Sequence, residues 1–302
     1  MKLCDLHCDT PLEMYRRGEE LLDNSLMVSL KKAAVFDRYV QCAAIWSDRR
    51  YSDEKCFLRF LLCTDYFRRL CSGLICKDAD ALKSSGKYAF VLAVEDARLL
   101  AGDLDRLDVL YSRGVRLLTL VWKGVSCIGG AWDTDEGLTA FGADCVDRCF
   151  ETGIIPDVSH GNSHMIRQVC LMGQRSGKPV VSTHGNSYTL CRTKRNLSDA
   201  SLRAVADTGG ICGVNLCPGH LTKGPICRAG DVIRHIAYLV NVCGADSVAL
   251  GCDFDGIDTT PRWLSDVSCL PVLYDGLSRS FGQDIADKIL FNNAYNFLLS
   301  NI

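Results

Sequence analysis

The chain has 302 residues, enough for one large domain or two average ones; a closed eight-stranded α/β barrel needs roughly 250. Hydrophobic residues make up 48% and charged residues 23% of the sequence, which excludes an intrinsically disordered chain. The 34 basic and 36 acidic side chains give a formal net charge of −2. Because no basic excess is present to bind a phosphate backbone, we expect no nucleic acid partner.

Eighteen cysteines are the unusual feature of the composition, and they first suggest a disulfide scaffold or a cysteine zinc site. Met1-Lys2-Leu3 leads directly into a strand-like run, without the regions of a secretion signal, and no apolar stretch is long enough for a membrane span. We therefore expect a cytoplasmic protein without membrane contact, where disulfides are rare. No Cys-x-x-Cys pair occurs, so most cysteines are predicted to be small buried hydrophobic residues.

Eight short apolar or β-branched runs alternate with amphipathic patterns along the chain. The predicted strands are Leu3–Leu6, Val40–Trp46, Ala89–Val94, Val115–Val121, Ile154–Val158, Val180–Thr183, Ile211–Leu216 and Val248–Gly251. The predicted helices are Asp53–Cys71, Leu104–Tyr111, Ala140–Phe150, Ser163–Gln174, Ser198–Ala206 and Asp231–Val242, with short closing helices in Phe281–Leu299.

This alternation predicts an α/β protein with βα units and a parallel sheet. Eight strands over this length favour a closed (β/α)8 TIM barrel over an open doubly wound sheet, which is the alternative. No Gly-x-Gly-x-x-Gly or Walker-type motif supports a nucleotide-binding open sheet. No low-complexity linker divides the chain, so residues 1–302 are predicted to form one domain.

The residues that follow the predicted strands carry the chemistry, because active sites of such barrels lie at the C-terminal strand ends. His7 and Asp9 follow the first strand, and Glu95, His160 and His184 follow the third, fifth and sixth. On an extended segment, the two-residue spacing of His7 and Asp9 directs both side chains to the barrel mouth. Imidazole and carboxylate ligands suit Zn²⁺, and Mn²⁺, Fe²⁺ and Co²⁺ accept the same set.

Five candidate ligands are too many for one tetrahedral ion and suit two ions bridged by a carboxylate. Glu95 stands alone on its strand and is the natural bridge. Two divalent ions would be neutralised by Asp9, Glu95, the nearby Asp253 and a bridging hydroxide, and an isolated buried charge would be costly. The sequence therefore predicts a binuclear metal centre.

Eight segments resemble one known family in its own order along the chain. They are Asp5–Pro11, Gly114–Leu120, Gly137–Gly142, Asp157–His160, Ser182–His184, Arg195–Asp199, Gly251–Gly256 and Asn293–Leu298. Together they resemble the membrane (renal) dipeptidases and their bacterial relatives, peptidase family M19. The resemblance spans nearly the whole chain.

The resemblance implies an amidohydrolase-like barrel that hydrolyses the amide bond of free dipeptides by a metal-bridging hydroxide, with L- or D-residues at the C-terminal position. It implies two Zn²⁺ per chain, with His7, Asp9 and Glu95 holding one ion and Glu95, His160 and His184 the other. The catalytic residues would then be Asp253 and Glu95.

Substrate residues follow from the same resemblance. Arg195 matches the arginine that binds the substrate carboxylate, for which a planar guanidinium is well suited. Asp253 would either pass a proton from water to the leaving amine or hold the substrate's ammonium group. A homodimer is also implied.

One position departs from the animal enzymes, in which a substrate-facing histidine follows the fourth strand. Trp122 stands there in this chain, and indole donates a hydrogen bond but cannot accept one. We expect Trp122 to shape the wall of the substrate pocket, with simple packing at the barrel rim as the alternative.

Other polar residues are predicted to have supporting or surface positions. Asp5 shares the parity of His7 and is expected deeper in the barrel, supporting the ligands, as is Asp255. Asn215 is expected to cap a loop, and His164 to lie on the surface.

Two other functions remain open at this point. One is a binuclear amidohydrolase or lactonase acting on a non-peptide substrate that bears a carboxylate. The other is an inactive metal-binding scaffold, against which the full ligand set argues.

Overall fold

A computed structural model describes residues 1–302 as eight parallel strands with helices around them. The strands are β1 Lys2–Cys8, β2 Arg38–Trp46, β3 Tyr88–Glu95, β4 Val115–Thr119, β5 Ile155–Asp157, β6 Ser182–Gly185, β7 Cys212–Val214 and β8 Val248–Leu250. The helices are α1 Thr10–Arg17, α2 Asp53–Leu70, α3 Ala79–Ser84, α4 Asp105–Ser112, α5 Ala140–Thr152, α6 Ser163–Ser176, α7 Asp199–Ala206, α8 Pro218–Leu221, α9 Ala229–Cys243, α10 Pro271–Phe281, α11 Gln283–Asp287 and α12 Asn293–Asn301.

The strands form a ring in the order β5-β4-β3-β2-β1-β8-β7-β6, and every pair of neighbours is parallel. The ring closes between β5 and β6, where Asp157 bridges Val181 and the Val158 amide donates to the Val181 carbonyl at 2.8 Å. This arrangement confirms the predicted (β/α)8 barrel over the open sheet.

The barrel interior is a cluster of 19 buried residues to which six strands contribute, among them Cys4, Val40, Val91, Leu117 and Ala249. Val181 and Ile211, directly before β6 and β7, also belong to it. Side chains at Ala89, Val91 and Ala93 alternate with their outer neighbours on β3, and Glu95 continues the inner row at the strand end. Apolar packing therefore fills the lower barrel, and the first polar layer above it is the candidate site.

Helices after β8 close the bottom of this interior, as predicted. A π-helical turn at Lys288–Asn292 leads into α12, and Phe291 and Phe297 belong to the interior cluster. Because α12 also lies beside β1 and β8, the end of the described chain holds its beginning in place.

A bulge in β1 changes which side chains face the centre. Asp5 pairs with Gln41 of β2, but Cys8 pairs with Ala43, so the register shifts between them. Leu6 faces the interior cluster, whereas Cys8 belongs to the larger cluster of 65 residues between strands and helices. The His7 side chain therefore faces the barrel interior, while the Asp5 side chain faces the helix layer outside the barrel.

The parity prediction for Asp5 is consequently wrong, because alternation does not continue across the bulge. The Asp5 carboxylate accepts hydrogen bonds from the Cys252 amide at 2.7 Å and from the Gln41 side chain at 3.0 Å. Burial raises the pKa of this carboxyl group. It ties β1 to the residues just before Asp253 instead of supporting a metal ligand.

The cysteines behave as small core residues, as predicted. All 18 are free thiols, with 14 of them buried and four half-buried. Cys8 and Cys252 pack in the strand–helix layer, away from the candidate site. None of the helices combines the length and apolar character that a membrane crossing requires.

Candidate metal centre

Six titratable side chains converge at the C-terminal end of the barrel. His7 and Glu95 lie at the C-terminal ends of β1 and β3, His184 lies in β6, and His160 follows β5. Asp253 follows β8, and Asp9 is the N-terminal cap of α1, with φ −99° and ψ 9°. Asp9 thus reaches the site from a helix cap, where strand alternation had been expected.

The two oxygens of Glu95 face different groups of ligands. Oε1 lies 2.9 Å from His160 Nε2 and 3.4 Å from His184 Nε2. Oε2 lies 3.9 Å from His7 Nε2, which is itself 3.5 Å from Asp9 Oδ2. The carboxylate therefore stands between an imidazole pair and a His–Asp pair, as a bridging ligand would.

The pKa values of the imidazoles shift in opposite directions because their surroundings differ. Burial disfavours the charged form of His7, but the nearby Asp9, Glu95 and Asp253 carboxylates outweigh it and raise the His7 pKa to about 10. Burial, with the positive charge of Arg195, holds the pKa of His160 well below its usual range, and burial with His7 does the same for His184. Both shifts favour the neutral imidazole, which has a free lone pair for a metal.

Several buried polar atoms at the site have no hydrogen-bond partner within the protein. They are both ring nitrogens of His7, Asp9 Oδ1 and His160 Nδ1. Buried polar atoms are rarely left unsatisfied in folded proteins. Together with three carboxylates in one buried cluster, they form a nitrogen and oxygen donor set that fits divalent cations.

The backbone is strained where two of these residues lie. His160 has φ +65° and Asp253 has φ +63°, in the left-handed region that favours glycine. Such conformations persist when the surrounding structure enforces them, and they cluster at functional sites.

Asn215 orients Asp253, a contact that sequence reasoning missed. Its side-chain nitrogen donates to Asp253 Oδ2 at 2.7 Å, while its oxygen accepts from the Cys217 amide at 2.6 Å. The predicted loop cap is therefore present, but the same amide also holds the carboxylate. Burial raises the pKa of Asp253 to about 6, against the lowering effect of His7.

Gly256 lies over the two carboxylates of the site, and its role was also missed. A Cβ at this position would lie 2.2 Å from Asp9 Oδ2 and 2.4 Å from Asp253 Oδ1. A larger residue fits there only if both carboxylates, or the loop, move. Asp255 beside it accepts from the Thr10 hydroxyl at 2.6 Å and the Met27 amide at 2.7 Å, and so ties the loop after β8 to α1.

Arg195 is buried on the loop between β6 and α7. One guanidinium nitrogen donates to the His184 carbonyl at 2.9 Å, and Nε is buried without a partner. Burial lowers its pKa, with the Asp253 and Glu95 carboxylates acting in the opposite direction. A fixed cation with an unused donor therefore lies next to the imidazole pair.

Trp122 is half-buried and stands between the site and Trp46. Its ring centroid lies 4.8 Å from that of Trp46 and 6.0 Å from that of His160. The two indoles thus form an apolar wall beside the imidazole pair.

Two of the remaining histidines, His164 and His235, lie outside this cluster, whereas His220 in α8 is close enough to lower the pKa of His160 and of His184. His164 lies in the first turn of α6, in a shallow surface pocket. His235 is buried in α9, where its ring accepts from the Ser187 amide at 3.2 Å and pairs with the Leu221 carbonyl at 3.0 Å. It fixes loops that lead to Arg195.

Comparison with known proteins identifies the family that shares this sequence and fold. The sequence model of the membrane dipeptidase family, peptidase family M19, matches residues 1–298. A Klebsiella pneumoniae protein described as an uncharacterized protein in the pqqA 5′ region is 36% identical over 239 residues, 74% of this chain and 86% of that protein. Dipeptidase 3 of Rattus norvegicus is 27% identical over 94% of this chain, which spans only 59% of that relative.

Solved structures agree with the sequence match. Dipeptidase AC, a metallopeptidase of family M19, superposes with a TM-score of 0.90 at 25% identity, covering 100% of this chain and 98% of that one. A metallopeptidase from Rhodobacter sphaeroides, solved with a phosphinate mimic of the dipeptide L-Ala-D-Ala, has a TM-score of 0.90 at 24% identity and covers 100% and 99%. The chain therefore belongs to the membrane dipeptidase family, peptidase family M19, and is a metal-dependent dipeptidase.

Proposed function

We propose that this dipeptidase works with two divalent ions, Zn²⁺ in the first instance, one held by His7, Asp9 and Glu95 and the other by Glu95, His160 and His184. The single observation that carries the proposal is the position of Glu95, whose two oxygens face the two groups separately. Ions bound there would supply Lewis acidity, which polarises the scissile carbonyl and acidifies water at neutral pH.

Asp253 is the proposed general base and acid. Its Oδ2 is engaged by Asn215, which leaves Oδ1 to hold a proton, and Oδ1 lies 3.9 Å from His7 Nε2. A pKa of about 6 is close to the range in which a carboxylate can take a proton from water and return it to the leaving amine. Asp253→Asn should lower kcat by about 10²–10⁴-fold while both ions stay bound.

Arg195 is the proposed partner of the substrate carboxylate. It is buried, fixed by the His184 carbonyl, and retains an unused Nε donor. A charge-assisted contact of this kind would select free dipeptides over internal peptide bonds.

Trp122 is proposed as the wall against which a substrate side chain packs. Its contact with Trp46 holds the ring in place, and the indole offers the substrate an apolar face. Trp122→Ala should raise KM most for dipeptides with large apolar side chains. A uniform effect on all dipeptides would assign Trp122 to packing alone.

A substrate panel tests the activity. The purified protein would be supplied with Zn²⁺ or Mn²⁺ and given L,L-dipeptides, N-blocked dipeptides and simple lactones. L,D-dipeptides join the panel because the Rhodobacter neighbour was solved with a mimic of one. Turnover of lactones without turnover of any free dipeptide would overturn the proposal.

Metal content and assembly are tested separately. Metal analysis after loading should give two ions per chain, and a single ion would contradict the bridged pair. We further propose a homodimer in a reducing cytoplasm. Sedimentation analysis checks the first, and the oxidation state of the thiols checks the second.

A further inference from the structure

Asp157 is a fully buried carboxylate next to the metal centre that the proposed reaction does not use. Its Oδ1 accepts from the backbone amides of Ser159 and Thr183, both at 2.9 Å. Its Oδ2 accepts from the hydroxyls of Thr119 at 2.5 Å and Thr183 at 2.6 Å. These four donors come from β4, β6 and the β5–α6 connection, and they occupy the acceptor positions of one carboxylate.

The Thr183 hydroxyl has a second close neighbour, His184 Nδ1, at 2.8 Å. A hydroxyl has a single proton, and here the carboxylate takes it. The hydroxyl oxygen must then act as the acceptor toward His184. The proton of the neutral imidazole therefore lies on Nδ1, and Nε2 keeps its lone pair.

His184 Nε2 is the atom that faces the candidate site, 3.4 Å from Glu95 Oε1. We propose that Asp157, acting through Thr183, fixes the tautomer of His184 so that Nε2 is always available to bind a metal. The inference rests on the proposed ligand role of His184. Asp157 is thereby a positioning residue, three positions before His160.

The other two imidazoles lack such a device. Both nitrogens of His7 and Nδ1 of His160 are buried without a hydrogen-bond partner. Of these three imidazoles, His184 alone has a hydrogen-bond partner at Nδ1, the ring nitrogen that faces away from Glu95. Perturbing the Asp157–Thr183 pair should therefore affect the imidazole pair's ion and spare the ion held by His7 and Asp9.

The variant Asp157→Asn reverses the direction of this chain of hydrogen bonds. Its amide oxygen would keep accepting from the two backbone amides, which places the NH2 group where Oδ2 was. That NH2 donates to the Thr183 hydroxyl, whose own proton then turns to His184 Nδ1. The imidazole would shift to the Nε2–H tautomer, which cannot bind a metal through Nε2.

The tautomer can be measured in metal-free protein by long-range ¹H–¹⁵N correlation with labelled histidine, the His184 signals being assigned by their loss in His184→Gln. We expect Nδ1–H in the wild type and in Thr183→Ser, and Nε2–H in Asp157→Asn. Thr119→Val is the matched control, since it removes another donor to Asp157 but leaves Thr183 untouched. An Nδ1–H tautomer in Asp157→Asn would overturn the proposal.

Chelator competition with metal analysis gives the second readout. Asp157→Asn should weaken binding of one of the two ions by about 10–100-fold, as supporting hydrogen bonds typically do, and leave the other unchanged. Thr183→Val keeps the carboxylate and tests the same link if Asp157→Asn fails to fold. In a Thr183→Val background, Asp157→Asn should add no further loss, and an additive loss would contradict the link through the hydroxyl.

The two measurements distinguish failure of the proposed ligand role of His184 from failure of the positioning role of Asp157. A tautomer shift without any change in metal binding would refute the ligand role of His184 while leaving the hydrogen-bond chain intact. Unchanged tautomers in every variant would refute the positioning role and leave the proposed reaction standing.

Discussion

Gly256→Ala is the change for which the structure predicts the sharpest functional loss with the least effect on folding. The glycine is exposed at the barrel rim, so its substitution disturbs no core packing. The new Cβ would lie 2.2 Å from Asp9 Oδ2 and 2.4 Å from Asp253 Oδ1, whereas ordinary contact begins near 3.4 Å. Both carboxylates, or the loop itself, must therefore move by about 1 Å.

The size of the expected loss in activity follows from how little displacement metal ligands and reacting groups tolerate. Metal–ligand distances are held within about 0.2 Å, and a 1 Å misplacement of a reacting group costs about 100-fold in rate. We expect kcat/KM for a free dipeptide to fall about 100-fold, which corresponds to roughly 2.7 kcal/mol of transition-state stabilisation. Affinity for the ion that His7 and Asp9 are proposed to hold should fall as well, with an unchanged melting temperature.

Gly230→Ala is the matched control. Gly230 lies in the first turn of α9, and a Cβ there meets nothing within 4 Å. The assay compares kcat/KM and metal content after chelator dialysis for both variants. Wild-type values for Gly256→Ala would refute the reasoning, because the loop after β8 would then be free to retreat from the carboxylates.

Three further predictions concern other parts of the molecule. Arg195→Ala should mainly raise KM for free dipeptides, by at least tenfold if a charge-assisted contact of about 1.5–3 kcal/mol is lost, and unchanged steady-state kinetics would remove its proposed role. Burial lowers the pKa of His235 from 6.5 to about 4, so below pH 6.5 the unfolded chain binds a proton that the folded one excludes, and stability falls until about pH 4. His235→Gln should flatten this fall in urea midpoints, and parallel profiles would contradict it. Thiol titration of denatured, unreduced protein from fresh lysate should find all 18 cysteines free, and mostly oxidised cysteines would exclude a reducing compartment.

Hydrophobic patterning located the barrel well because buried parallel strands read as continuous apolar runs. The observed β7 and β8 are shorter than predicted, since patterning registers buried residues and not the hydrogen bonds that end a strand. The closing helices after β8 were predicted to begin at Phe281. In the structure Phe281 is the last residue of α10, so the helical region begins earlier, at Pro271.

Strand alternation failed at the site itself. The rule placed Asp5, His7 and Asp9 on one face, but the β1 bulge removes Asp5 and a helix cap supplies Asp9. A bulge is a local backbone event with no signature in residue type, so the parity argument could not detect it.

Contacts between residues far apart in the sequence were the second feature that the sequence patterns could not predict. Asn215 reaches Asp253 across two strand ends, and Asp157 collects hydroxyls from two neighbouring strands. Single-chain reasoning identified the residues that could bind metal by their chemistry. It could not identify those that act by holding others, because any buried amide or carboxylate at a strand end has the same local pattern.

The left-handed backbone at His160 and Asp253 has a consequence for how this enzyme diverges after gene duplication. Each position carries a side chain that its backbone disfavours, so glycine would relieve strain there while removing a proposed metal ligand or the proposed acid and base. In a copy released from selection for activity, stability alone would then favour glycine at these two sites. Their identity in a relative should therefore separate working dipeptidases from copies kept for another purpose, even when the rest of the barrel is unchanged.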